Sequence, residues 1–316
     1  MESAIANPQS QITNHRCLLR PVGGQGVPLL EPIRSILSQV QILARRLSLA
    51  TPGVRATAPM LRGVWGAALH DLDPEAYNAV FAGAGSPHER VPPYVLRPAP
   101  PSVEDWPAID WVLMGKGLAY DAVLLRAWDV ASGMGLGPGR HRFHIRALRP
   151  LGPAGDVPTD ASGFSPWSLL QVPWPLPTDP LSTPCRLSFA APLRLIRNHR
   201  LVEQPTLTDI VVATVRRLAA FLPSPAQDAL TRIRPGLIEL SRKLRAMPWE
   251  GERLDLVRYS GRQKRELQMR GVSGHLDLPD GPGSLWPLLA AAQWLHIGKG
   301  TVVGMGQLVV QLRPRP

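Results

Sequence analysis

The run Leu285-Trp286-Pro287-Leu288-Leu289-Ala290-Ala291-Ala292-Gln293-Trp294-Leu295 leads into His296-Ile297-Gly298-Lys299-Gly300-Thr301-Val302-Val303-Gly304-Met305-Gly306, and Leu308-Val309-Val310-Gln311-Leu312 follows. The first part reads as an apolar helix and the last as a strand. Between them, four glycines and a lysine form a loop whose backbone can approach an anion and whose amides can point at it. Phosphate is the expected anion. The same glycines would equally suit a turn that lets the last strand cross tightly packed backbone, and the loop alone leaves both readings open. A nucleotide-triphosphate loop is excluded, because that motif follows a strand, opens a helix and ends in Gly-Lys-Ser/Thr.

Charge favours the anion. The chain of 316 residues carries a net charge of +11, but residues 1–185 hold 15 Lys/Arg against 14 Asp/Glu, whereas residues 186–316 hold 20 against 10. Residues 232–270 alone hold eleven basic side chains: Arg232, Arg234, Arg242, Lys243, Arg245, Arg253, Arg258, Arg262, Lys264, Arg265 and Arg270. Five acids, Glu239, Glu250, Glu252, Asp255 and Glu266, offset fewer than half of them. Such clustering is the electrostatic footprint of a polyanion partner. Arg predominates over Lys, and its planar fork binds phosphate bidentately.

The length and 44% apolar content allow two domains with substantial cores. Two cysteines, Cys17 and Cys185, lie far apart without metal-ligand spacing, so neither a disulfide scaffold nor a zinc site is expected, and no cofactor is implied. No run of 18 apolar residues occurs and no signal-peptide pattern opens the chain, from which a cytoplasmic protein without a membrane segment is expected.

The pattern divides into an extension over residues 1–35, a first domain over 36–150, a Pro-rich linker over 151–184 and a second domain over 185–316. The first domain reads as a strand at 40–49, a helix at 60–70, a helical turn at 73–81, a Gly/Pro-rich stretch through 101, a strand at 110–114, a helix within 118–127 and a strand at 140–148. In the second, a strand at 186–195 precedes a helix at 206–221, whose stripe is Leu207, Ile210, Val211, Thr214, Val215 and Leu218. A basic helical insertion at about 225–250, interrupted near Pro235, comes next. Paired strands at 254–259 and 271–278 then lead into the terminal helix, the loop at 298–306 and the last strand. Each half runs strand, helix, strands, glycine-rich turn and strand, the order of a duplicated ferredoxin-like, RRM-like domain in the α+β class.

Several segments carry a resemblance. They are Leu61-Arg62-Gly63-Val64-Trp65-Gly66-Ala67-Ala68-Leu69, Tyr77 with Phe81, Pro93-Tyr94-Val95-Leu96, and Gly133-Met134-Gly135-Leu136-Gly137 before Arg140. The second half adds Pro192-Leu193-Arg194-Leu195, Arg216-Arg217, Arg258-Tyr259-Ser260-Gly261-Arg262-Gln263, Gly271-Val272-Ser273-Gly274 and the terminal loop. Together they resemble the repeat-specific endoribonucleases of CRISPR systems, within the repeat-associated RNA-binding superfamily. The extra basic helix is compatible with a type IV branch.

That resemblance implies two tandem ferredoxin-like domains, binding of the repeat RNA hairpin, and metal-independent cleavage by attack of a ribose 2′-hydroxyl on its adjacent phosphate. Such cleavage leaves a 2′,3′-cyclic phosphate and a 5′-hydroxyl. It also implies retention of the product and association with other effector subunits. The family commonly places a histidine in or near the first helix of the N-terminal domain. His70 is the residue there, and imidazole can serve as acid or base near neutrality. Some members lack that histidine; Arg62 would then clamp the phosphate, since a guanidinium stays protonated and cannot act as a base. His199, in the basic stretch 194–200, is the second choice, ahead of His15, His88, His141, His144, His275 and His296. The expected RNA contacts are Arg242, Lys243 and Arg245 on the basic helix, Arg258, Arg262, Lys264 and Arg265 after the Tyr259 strand, and Gly298, Lys299 and Gly300 in the loop. A non-catalytic RNA-binding subunit of an effector complex is the alternative.

Overall fold

The computed structural model describes residues 27–82, 91–99, 107–137, 139–155, 165–175, 179–260 and 265–313. It opens with helix α1 (Val27–Leu37). The N-terminal domain then runs β1 (Gln41–Ala50), α2 (Ala58–Leu72), α3 (Pro74–Tyr77), β2 (Tyr94–Pro98), β3 (Ala108–Met114), α4 (Asp121–Met134) and β4 (His144–Leu151). Its sheet has the antiparallel order β2-β3-β1-β4. A short strand β5 (Trp167–Ser168) pairs with β1. The C-terminal domain runs β6 (Cys185–Phe189), a small hairpin of β7 (Ile196–Arg197) and β8 (Arg200–Leu201), α5 (Leu207–Ala219), α6 (Ser224–Lys243), β9 (Glu250–Ser260), β10 (Arg265–Leu278), α7 (Trp286–Leu295) and β11 (Leu308–Leu312). Its sheet order is β11-β6-β10-β9. Both halves are ferredoxin-like domains, in which the first and third strands are central and both helices cover one face.

Local chemistry sets the helices. Thr57 caps α2, its Oγ1 accepting from the Met60 amide at 3.4 Å. In α5, Thr206 and Asp209 form a reciprocal capping box, and the whole expected stripe from Leu207 to Leu218 is buried. On the helix side of the N-terminal sheet, Trp65 is fully buried, stacked on Trp128 at 4.8 Å and edge-on to Phe81, Tyr94 and Trp111. The opposite side, with Ile42, Ala44, Val95, Val112 and Met114, joins the core of α1 and the C-terminal domain. The two domains therefore share one apolar seam.

The structure corrects several boundaries. Residues 27–37 form a helix whose Ile33, Ile36 and Leu37 are buried, and α1 packs on α6 and α7. Strand β2 lies inside the stretch read as Gly/Pro-rich. Helix α6 passes through Pro235 without a break; Pro235 and Thr231, the residue whose carbonyl Pro235 leaves unbonded, are both exposed, so water can serve that oxygen. The strand read from 186 to 195 stops at Phe189, ahead of Pro192. The one read from 140 starts at His144, because Arg140 turns the chain at φ 46°. No helix among the described residues is long and apolar enough to cross a membrane.

Candidate nucleic-acid interface

The glycine loop lies on the seam between the domains. Helix α7 ends at Leu295, and His296 (φ 52°), Gly298 (φ 86°), Gly300 (φ 82°), Gly304 (φ 86°) and Gly306 (φ 69°) turn the chain back toward β11. A Cβ on Gly306 would stand 1.8 Å from the Ile297 carbonyl oxygen, and one on Gly298 would stand 2.5 Å from that of Arg194. One on Gly304 would stand 3.0 Å from the Leu96 carbonyl oxygen of β2, in the other domain. The amides of Ile297, Lys299, Val303, Gly304, Met305 and Gly306 all donate to backbone carbonyls. Close backbone passage thus accounts for three of the glycines, and Lys299 is exposed on the loop surface. The short turn Thr301–Val303 touches both β2 and α2, and Val302 packs on the N-terminal core.

The base of this loop holds three residues that carried no signal as a group. His296 is fully buried; its Nδ1 lies 3.1 Å from the Met305 carbonyl oxygen, and its Nε2 has no protein partner among the described residues. Desolvation, helped by the nearby charges of Arg97 and Arg217, holds its pKa well below the ordinary imidazole value, so the ring is neutral and donates from Nδ1. Arg217 of α5 donates from Nε to the Leu295 carbonyl at 3.1 Å. Burial brings its pKa down to about 9, while Tyr94 of the N-terminal domain favours the charged form. Arg97 of β2 donates from Nη1 to the Gln293 carbonyl at 3.2 Å. In the sequence His296 stands out only as the residue that opens the terminal loop and Arg217 only within the Arg216-Arg217 pair of the resemblance, and nothing distinguishes Arg97 from a surface arginine.

His70 sits near the end of α2, exposed, with Nδ1 3.5 Å from Asp71 and its ring edge-on to Tyr77 at 5.2 Å. Arg62, eight residues earlier on the same helix, donates from Nε to the Tyr94 hydroxyl at 2.8 Å and lies over Phe81. That contact ties Arg62 to the aromatic core as well as to the helix surface.

His199 occupies the β7–β8 turn at φ 61°. It stands on the rim of an open groove of about 650 Å³, lined by Arg194, Ile196, Arg200, Leu201, Glu203, Arg253 and Arg270. Arg253 meets Glu203 at 3.1 Å and Asp255 at 3.5 Å, and Arg270 meets Asp255 at 3.5 Å. Exposed pairs of this kind contribute at most about 1 kcal/mol each, so a phosphate can displace the carboxylates. Sequence spacing singles out His199 and hides the groove, because strand register across β9 and β10 brings Arg253 and Arg270 beside the turn.

Arg242 and Lys243 close α6 and Arg245 follows it; all three are exposed, and Lys243 is held by Glu239 at 2.6 Å. Arg262 and Lys264 lie outside the described residues. Arg258 and Arg265 sit near the turn end of the β9–β10 hairpin, where Arg258 pairs with Leu267 and Arg265 with Ser260; their side chains lie outside the described residues too. Among the described residues, no three His, Cys, Asp or Glu side chains are grouped as metal ligands.

Comparison with known proteins adds to this geometry. Residues 187–308 match the model of the family described as CRISPR-associated endoribonuclease Cas6. No curated protein matches the chain by sequence. Among solved structures, a product complex of Cas6 (TTHB231) is similar at a TM-score of 0.56 and 18% identity, covering 86% of this chain and 99% of that one. Thermus thermophilus Cas6 (TTHB231) is similar at a TM-score of 0.53 and 17% identity, covering 86% and 98%. A product complex of Cas6 (TTHA0078) is similar at 0.53 and 21% identity, covering 86% and 99%. Residues 187–308 are thus similar in sequence to the CRISPR-associated Cas6 endoribonucleases, and the fold of the chain is similar to that of solved Cas6 structures.

Proposed function

We propose that this protein is a metal-independent endoribonuclease that binds the hairpin of a CRISPR repeat, cuts precursor CRISPR RNA beside it and keeps the product. The observation that carries this reading is that the Cas6 match over residues 187–308 spans both the arginine-lined groove and the seam loop. The groove supplies cations for the ribose-phosphate backbone, since A-form RNA is recognised mainly by shape and phosphate contacts. The exposed residues Arg242, Lys243 and Arg245 extend the basic surface at the end of α6.

In the proposed reaction a ribose 2′-oxygen attacks the adjacent phosphorus as the bond to the 5′-oxygen breaks. A base takes the 2′-proton, an acid gives a proton to the leaving 5′-oxygen, and cations bear the charge on the non-bridging oxygens. His70 is assigned to proton transfer, with His199 as the second candidate and Arg62 as a phosphate clamp. In-line placement supplies much of the rate. Product retention would hand the guide to other effector subunits.

A repeat RNA carrying a 2′-deoxyribose at the scissile position tests this chemistry. The protein should bind it as tightly as the all-ribose RNA and leave it whole; cleavage of the deoxy substrate would refute 2′-hydroxyl attack. The second reading, a non-catalytic RNA-binding subunit, draws support from the loop, where six amides are already engaged by backbone carbonyls.

A further inference from the structure

We propose that Arg97 is a positioning residue of the cleavage reaction, an interdomain bolt that sets the glycine loop of the C-terminal domain against helix α2 of the N-terminal domain. The inference rests on the endonuclease reading above. Arg97 lies on β2 and is 8% exposed. Its Nη1 donates across the seam to the Gln293 carbonyl at 3.2 Å, and its guanidinium stacks 4.4 Å above the Trp294 ring. Both contacts fall on the last turn of α7, immediately before the loop begins. A cation there also faces the negative end of the helix dipole. Its Nε is held from behind by Asp110, 3.2 Å away, and that carboxylate is shared with Arg46 at 2.7 Å.

The C-terminal domain already possesses its own cap for this helix end, because Arg217 binds the Leu295 carbonyl from within the domain. The loop also closes on itself through His296 and Met305. Arg97 is therefore dispensable for forming the loop; what it adds is the loop's place relative to the other domain. The strand that carries it makes the matching contacts. Gly304 packs on the backbone of Leu96 and Arg97, and three residues before Arg97 the Tyr94 hydroxyl accepts from Arg62 on α2. A continuous path thus runs from the helix bearing His70, through β2 and Arg97, to the loop bearing Lys299. A shift of about 1 Å along such a path can cost about a hundredfold in rate without a matching loss of binding.

Arg97→Met tests this in the full-length protein. The variant keeps an apolar stem over Trp294 and leaves Asp110 paired with Arg46, so no buried carboxylate is orphaned. At saturating repeat RNA, single-turnover cleavage should fall about tenfold to a hundredfold while the dissociation constant for RNA changes by less than about threefold. Amide hydrogen exchange should accelerate in residues 298–306 and stay unchanged elsewhere, and Arg97→Lys should recover part of both effects. An unchanged cleavage rate, unchanged loop exchange, or exchange accelerated throughout both domains would each overturn the proposal. If the wild-type protein binds the RNA without cutting it, the endonuclease reading falls and the positioning role with it, while the exchange measurement still decides whether Arg97 fixes the loop.

Discussion

The imidazole of His296 closes the glycine loop on itself, its Nδ1 3.1 Å from the carbonyl oxygen of Met305, nine residues further along the chain. The ring is buried with Arg97 and Arg217 as its charged neighbours, and Asp110 behind Arg97 is already paired with Arg97 and Arg46, so protonation would add a third cation to the seam. The folded-state pKa lies below the ordinary 6.5, so between the two values the unfolded chain binds a proton that the folded protein does not. Stability from this group is complete above about pH 6.5 and falls as pH drops, by about 1.4 kcal/mol per unit until the folded value is reached. Urea midpoints measured from pH 7.5 down to pH 5 check this, and His296→Gln should flatten the dependence.

Gly306 and Gly63 give opposite expectations for the same substitution. Gly306 has φ 69° and no room for a Cβ, so Gly306→Ala should destabilise the protein by about 3 kcal/mol or more. Gly63 is an exposed helical position where an added methyl group would meet nothing within 4 Å, and Gly63→Ala should stabilise the protein by up to about 1 kcal/mol. Chemical denaturation of the two variants decides both signs.

Much of the architecture is legible in the sequence because periodicity is a local property. The apolar run 308–312 coincides with strand β11, the stripe of α5 matches residue by residue, and the repeated strand-helix-strand order gives the tandem fold. The differences have physical causes. Strand β2 has five residues hemmed by Pro92, Pro93 and Pro98, and α1 contains Pro28 and Pro32, so local propensity argues against both; burial against distant partners overrides it. The groove beside His199 and the seam of Arg97, Arg217 and His296 depend on strand register and domain packing, which no single sequence encodes in its spacing.

RNA affinity should depend steeply on salt if the groove contacts phosphates. Arg200→Ala and Arg253→Ala should each weaken binding across RNA sequences and reduce the magnitude of the slope of log K against log salt by about one unit. Filter binding between 50 mM and 300 mM KCl, roughly the range over which counterion release is read, measures it. Unchanged slopes would move the phosphate path away from the groove.

His70 and His199 should separate by what they impair. On the proposal that His70 transfers the proton, His70→Ala should lower single-turnover cleavage by about a hundredfold to ten-thousandfold with little change in affinity. His199→Ala, on the rim of the groove, should act mainly on affinity. A His70→Ala protein that cuts at the wild-type rate would remove that residue from the reaction.

The most direct test of the central claim is incubation of the purified protein with its repeat RNA in excess EDTA, followed by analysis of the product ends. The expected result is one cut yielding a 2′,3′-cyclic phosphate and a 5′-hydroxyl, with the product still bound. RNA that is tightly bound yet remains intact would contradict the assignment as an endoribonuclease and leave a guide-RNA-binding subunit in its place.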